Sequence, residues 1–289
     1  MPAPTVAALL DAATARLGDA LGLDRREARL EAKTLAAHVW RVAPAWLIVH
    51  DRDPVEADQA TRFDTLLARR LAGEPVAYLT GVREFYGRSF HVTPAVLIPR
   101  PETELLVDLA LTRLPPEAPH AVLDLGTGSG CVAVSLALER PNARVTAVER
   151  AADALAVARE NAARLGASVE WLAGDWFEPL DGRRFDIIVG NPPYVAANDP
   201  HLARGDVRFE PPDALASGTD GLDDLRRLIA WAADSGAAGV GLSPLVAGLC
   251  AVPFSYLLAK LLLVGRKPEQ PAQQPAAHRP WKKTCSWAF

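Results

Sequence analysis

The residues best placed to do chemistry fall in three short stretches. The first, Asp124-Leu125-Gly126-Thr127-Gly128-Ser129-Gly130, closes the apolar run AVLDL and leads into a helical pattern. Glycines at alternate positions let a backbone turn sharply and approach a ligand at a helix N-terminus. About twenty residues on, Glu149 ends a second apolar run, where a carboxylate can accept from both hydroxyls of a ribose. Two cofactor classes use this layout. A dinucleotide fingerprint asks for a third glycine at 131, where this chain has Cys131. An acid before the first glycine and a G-x-G-x-G loop suit S-adenosylmethionine, which has no pyrophosphate to cradle. Gly126, Thr127, Gly128, Ser129, Gly130 and Glu149 are the resulting candidate cofactor contacts.

The second stretch is Asp175-Trp176, after a third apolar run. There a carboxylate can accept from an exocyclic amine and an aromatic can cover a purine. A turn acid beside a core tryptophan accounts for the pair equally well. The third stretch, Asn191-Pro192-Pro193-Tyr194, follows the strongly apolar FDIIVG. Two prolines fix φ twice and remove two N–H groups, so the loop is rigid and presents carbonyls. The Asn191 side-chain carbonyl and the Pro192 carbonyl can accept both hydrogens of a planar –NH₂ group, with Tyr194 against its π-face. Such a nitrogen is a poor nucleophile. Holding it in line with a sulfonium methyl makes transfer a matter of positioning, and its proton can leave afterwards. Asn191, Pro192 and Tyr194 are the candidate catalytic residues, Asn191 through Tyr194 the candidate substrate contacts, and Asn191 also a candidate donor contact. The alternative is a plain proline turn.

These stretches must be held by a sheet. Strand-like runs at 121–125, 144–148, 169–173 and 185–190 alternate with helical patterns at 129–140 and 151–165, which predicts βαβ units and a covered parallel sheet. Ahead of them, Val6, Leu9, Leu10, Ala13 and Leu17, then Leu30, Leu35 and Val39, then Phe63, Leu66, Leu67 and Leu71, recur at helical spacing and predict a small bundle. Residues 76–100, rich in β-branched and aromatic types and broken by Gly81, Gly87 and Pro94, predict a hairpin or extended linker rather than a helix. Thr103 is expected to cap the apolar run that follows. The fold class is thus α/β, a Rossmann-like parallel sheet with an N-terminal helical bundle domain. The expected divisions are 1–75, the linker 76–100, 101–235 and a tail 236–289.

Composition narrows the partners. The 289 residues are 49% hydrophobic and carry a formal net charge of −4, which excludes a disordered polar chain and argues against a basic nucleic-acid groove. Three cysteines, Cys131, Cys250 and Cys285, do not make a disulfide framework, and a cytoplasmic setting is expected. The first twenty residues lack the pattern of a signal peptide. His38, His50, His91, His120, His201 and His278 show no ligand spacing, so no metal is expected. Cys131 reads as a small packing residue.

The stretches GEPVAYLTGVREFYG, LIPRPETE, VLDLGTGSGCVAVSLA, GDWFEPL, IIVGNPPY and DPHLARGDVRFEPPDAL together resemble the PrmC/HemK family of protein-(glutamine-N5) methyltransferases. The resemblance runs to about residue 233. It implies S-adenosylmethionine as donor, bound by Gly126, Gly128, Gly130, Glu149 and Trp176. It also implies that the glutamine amide of the Gly-Gly-Gln loop of a peptide chain release factor is held by Asn191 through Tyr194, with the helical domain contacting the release factor. No direct nucleic-acid or membrane partner is expected. An N6-adenine methyltransferase of nucleic acid, or a catalytically impaired binder, are the alternatives.

The tail breaks the pattern. Lys33 is the sole lysine before residue 236, whereas Lys260, Lys267, Lys282 and Lys283 follow it, with Glu269 the sole acid there. Such a shift looks like a frameshifted or replaced C-terminus. Lys260 is the one charge in 236–265, a span long enough for a membrane, but Gly236, Gly239, Gly241, Pro244, Gly248 and Pro253 interrupt it. The expectation is that this tail cannot supply the strand beside FDIIVG, leaving an open apolar edge.

Overall fold

A computed structural model of the chain describes residues 3–234 and the backbone of two further strands, 240–242 and 261–264. They form two compact units, dividing between Leu79 and Thr80.

The first unit is helical. In α1 (Val6–Leu21) the Thr5 hydroxyl accepts from Ala8 N at 3.2 Å, and Val6, Leu10, Ala13 and Leu17 are buried at alternating steps of four and three. Asp24 and Glu27 close a reciprocal capping box on α2 (Arg25–Trp40). A short α3 (Trp46–Val49) precedes α4 (Ala57–Leu71), whose Phe63 and Leu67 join the same core. Arg70, only 4% exposed, is held by both carboxylate oxygens of Glu31 at 2.7 and 3.0 Å. That two-point contact allows a guanidinium to sit in an apolar bundle.

Residues 76–80 depart from the extended reading. They form a helical turn, α5 (Val76–Thr80), because Pro75 starts it and the amides of Tyr78 and Leu79 bond back to the Pro75 carbonyl. The hairpin is confined to β1 (Val82–Phe85) and β2 (Arg88–His91). Its turn residues Tyr86 and Gly87 both have positive φ, 53° and 72°, as a two-residue turn matching strand twist requires. It is not a free linker. Phe85 and Phe90 are fully buried in the core of the second unit, each contributing roughly 1.5–3 kcal/mol. The Tyr86 amide and hydroxyl donate to Glu104 and Asp108 of α6 (Glu104–Leu111). Thr103 does not cap α6. It lies within a 3-10 turn, Pro101–Thr103, with helical φ and ψ, so its hydroxyl is not set as an N-cap acceptor.

The second unit is built on β3 (Ala121–Leu125), α7 (Cys131–Glu139), β4 (Arg144–Glu149), α8 (Ala152–Leu165), β5 (Val169–Ala173), β6 (Ile187–Gly190) and α9 (Asp223–Asp234), followed by β7 (Val240–Leu242) and β8 (Leu261–Val264). The sheet order is β5-β4-β3-β6-β8-β7, with β5, β4, β3 and β6 mutually parallel. The chain steps outward from β3 through β4 to β5, then returns to the other side of β3. That reversal opens a crevice at the carboxyl ends of β3 and β6, where ligands of open α/β sheets bind.

The expected open edge is corrected. Leu261–Val264 pairs antiparallel with Ile187–Gly190, and Val240–Leu242 pairs with β8 beyond it. An unpaired apolar strand is a template for any apolar extended segment, and the Leu-Leu-Leu-Val run of the tail supplies one. The rest of the reading of 236–289 falls outside the described residues. Among the described residues, no helix is long and apolar enough to cross a membrane.

Candidate active site

A cavity of about 350 Å³ lies at the carboxyl ends of the parallel strands. Its lining includes Gly126, Thr127, Gly128 and Ser129 after β3, Glu149 at the end of β4, Asp175 and Trp176 after β5, and Asn191 and Pro193 after β6. Nine of the twelve sequence-derived candidates therefore line one space. Gly130, Pro192 and Tyr194 stand outside its lining. Gly130 is the N-cap of α7, at φ 78°, and a Cβ there would lie 3.1 Å from that of Ala158 on α8. Close packing of two helices, rather than ligand approach, requires this glycine.

The backbone donors of the Gly-rich loop are largely consumed by the protein. The amides of Gly126 and Thr127 donate to the Val148 carbonyl, that of Gly130 to the Thr127 carbonyl, and that of Gly128 to Glu149 Oε2 at 2.9 Å. Glu149 Oε1 accepts from Ala151 N at 2.9 Å. The loop thus presents a shaped wall rather than a set of free N–H groups for a pyrophosphate. The Glu149 carboxylate is fixed on two sides, and each oxygen keeps a second lone-pair direction for a ligand hydroxyl.

Asp124 lies beneath the loop, 2% exposed, accepting from the Thr127 hydroxyl at 2.6 Å. Burial pushes its carboxyl up to about 7, against the opposing effect of that hydrogen bond. Between roughly pH 4 and this value the folded chain holds a proton that the unfolded chain has released, so the stability contributed by the neutral group is lost as pH rises across that window. Urea midpoints of the parent are therefore expected to fall between pH 5 and pH 8 relative to those of Asp124→Asn. Parallel pH profiles would remove Asp124 as the cause. The thiol of Cys131, also buried, is pushed up to about 12 and so stays protonated and inert, as befits a packing residue.

Trp176 has φ 51°, a left-handed conformation that costs a bulky residue roughly 1–3 kcal/mol and must be held by its surroundings. Its ring lies 3.3 Å from where a Cβ of Gly126 would stand, and its Nε1 donates to Asp224 at 3.0 Å. Asp175 has one carboxylate oxygen on Arg227 at 2.9 Å. Asn191 is distinctive. Its Oδ1 is buried and has no hydrogen-bond partner, at a position lining the cavity. A buried carbonyl left unmatched costs about 1–3 kcal/mol, so a donor from a ligand is the natural complement.

Sequence reasoning missed the residues that fix these groups from afar. Asn161 of α8 accepts from His91 N and donates to the Ser129 carbonyl, locking the Gly-rich loop to the hairpin. Glu210, 3% exposed, accepts from Ile98 N at 3.0 Å and is ion-paired with Arg100, which lines the cavity. Burial raises its carboxyl from the usual range, and the Arg100 charge opposes that rise. No local pattern announces a contact between residues 110 positions apart.

A glycine-rich loop whose amides are largely taken up by the protein and an unmatched Asn191 carbonyl share one cavity at the switch point of a Rossmann-like sheet, and the match to a methyltransferase domain family makes the class an S-adenosylmethionine-dependent methyltransferase. Residues 8–81 match the PrmC N-terminal domain family and residues 103–206 the methyltransferase small domain family. The chain is 58% identical over 201 residues to a release factor glutamine methyltransferase of Bordetella pertussis, covering 69% of this chain and 74% of that one. It is 48% identical over 233 residues to that of Xylella fastidiosa, covering 80% of each. It is 46% identical over 202 residues to that of Escherichia coli, covering 70% of this chain and 73% of the relative. The chain belongs to the release factor glutamine methyltransferase family. Its reaction is methylation of a release factor glutamine, with S-adenosylmethionine as donor.

Proposed function

We propose that the methyl group goes to the side-chain amide nitrogen of the glutamine in the Gly-Gly-Gln loop of the release factor, and that the work is done in the cytoplasm. The buried, unmatched Asn191 Oδ1 carries this reading. It accepts one amide hydrogen, and Pro193, which shares the cavity lining, bounds the amide plane. Pro192 and Tyr194, outside that lining here, would meet the amide through the Pro192 carbonyl and the Tyr194 ring once the substrate loop is seated. Gly126, Thr127, Gly128, Ser129, Glu149, Asp175 and Trp176 hold the donor, with Gly130 acting through helix packing. S-Adenosylmethionine, when bound, supplies an electrophilic methyl on a sulfonium. The chain's own part is to polarise the amide, aim its nitrogen and keep the reacting atoms in line. No strong base is required before attack, since the amide proton leaves after the new bond forms.

The helical unit is the proposed docking element for the release factor. Two neighbouring apolar side chains of its α3, Ile48 and Val49, are exposed, at 64% and 77%. Transfer from labelled donor tests the whole reading. Label is expected in release factor, and none in release factor whose Gly-Gly-Gln glutamine is replaced. Label in adenine-containing DNA instead would overturn the choice of acceptor.

A further inference from the structure

The segment between the acceptor loop and α9 touches both halves of the site. On one side it forms a short backbone ladder with the Asn191–Tyr194 loop. The amides of Tyr194 and Val195 donate to the Leu215 carbonyl, that of Ser217 to the Val195 carbonyl at 2.9 Å, and that of Ala197 to the Gly218 carbonyl at 2.8 Å. Gly221 lies so close that a Cβ on it would stand 2.4 Å from the Tyr194 carbonyl oxygen. On the other side the segment reaches Trp176 through one side chain. Asp224 Oδ1 accepts from Trp176 Nε1 at 3.0 Å, and Asp224 Oδ2 accepts from the Ser217 hydroxyl at 2.7 Å. The Asp224 amide in turn donates to the same hydroxyl at 2.8 Å, so Ser217 and Asp224 fix each other at the start of α9.

We propose that Asp224 is a positioning residue of the donor site: it sets the plane of the Trp176 indole and, through Ser217, ties that plane to the acceptor loop. Asp224 lines the cavity as well, with both carboxylate oxygens already engaged by the protein, so the comparison in a background without the indole N–H is what separates an effect passing through Trp176 from a direct contact. A bulky side chain on a left-handed backbone needs such an anchor. The Trp176 ring packs over Gly126, 3.3 Å from where a Cβ would stand, and its N–H end is held by Asp224. The remaining group beside the carboxylate, Arg227, is 4.0 Å away and already paired with Asp175. The proposal rests on the reading of Trp176 as part of the donor wall.

The test is calorimetry of S-adenosylmethionine binding to the full chain. Asp224→Ala is expected to weaken binding about tenfold, the equivalent of one charge-assisted hydrogen bond. Asp224→Asn, whose carbonyl can still accept from Nε1, should restore affinity to within about twofold. In a Trp176→Phe background, which keeps a ring but lacks the N–H, Asp224→Ala should cost nothing further, because the two changes remove one interaction. Full additivity of the two changes would overturn the proposal, as would parent-like affinity in Trp176→Phe or in Asp224→Ala. If Asp224→Ala does not fold, Ser217→Ala, which removes the hydroxyl that fixes Asp224, gives the comparison with and without Trp176→Phe. Trp176→Ala separates the two layers. Parent-like affinity in that variant removes Trp176 from the donor wall and the proposal with it. Weak binding there with normal binding in Asp224→Ala overturns the role of Asp224 alone.

Discussion

Asn191→Ala is expected to lower turnover at least ~100-fold while changing donor affinity far less, the signature of a lost group that acts on the reacting amide. The argument starts from burial. Asn191 follows β6, four residues that are all buried, so its backbone position is fixed by the parallel ladder of Leu125 with Gly190. The prolines after it restrict the loop further. What remains is a side-chain carbonyl that the fold places out of water and leaves unmatched. Alanine removes that acceptor without a large change in volume, so the expected loss falls on kcat. Asn191→Asp keeps an acceptor and adds a charge near the sulfonium, and should retain partial activity. Single-turnover rates with saturating donor and release factor provide the measurement. Normal turnover in the alanine variant would sink the amide-binding mechanism.

How far the sequence foretells this site depends on whether a feature is local. The Gly-rich loop, Glu149 and Asn191 are legible because each sits at or just past the end of a short apolar strand, and the carboxyl ends of parallel strands share one edge. The helices of the first unit were legible from apolar spacing, and Asp24 with Glu27 is a capping box that can be read directly. Thr103 shows the limit: the residue type suits a cap, but Pro101 nucleates a 3-10 turn that makes Thr103 helical already. Residues 76–80 show another, since β-branched and aromatic content favours extension while a preceding proline starts a helical turn. The clamps Glu210–Arg100, Asn161–Ser129 and Asp224–Trp176 join elements far apart in the chain. Each depends on a tertiary approach that no periodicity encodes. The pairing of β8 with β6 is of the same kind, because the shift in lysine and acid content along the tail says nothing of which edge it meets.

Glu149→Ala is expected to weaken S-adenosylmethionine binding by roughly 1.5–3 kcal/mol, about 10- to 150-fold in dissociation constant. Two losses combine. The first is direct, since a carboxylate that accepts from two ribose hydroxyls makes charge-assisted bonds. The second is local: Glu149 also accepts from Gly128 N and Ala151 N, so its removal frees the middle of the Gly-rich loop and the entry to α8. A donor analogue lacking the ribose 2′-hydroxyl separates them. The parent should discriminate against that analogue, whereas Glu149→Ala, having no carboxylate to offer, should bind it almost as well as the full donor. Glu149→Gln should fall between, because its amide oxygen can still accept from one backbone N–H while its amide nitrogen opposes the other. Unchanged affinity in Glu149→Ala would remove Glu149 from the donor site. Reduced affinity with discrimination intact would assign its carboxylate to holding the loop alone.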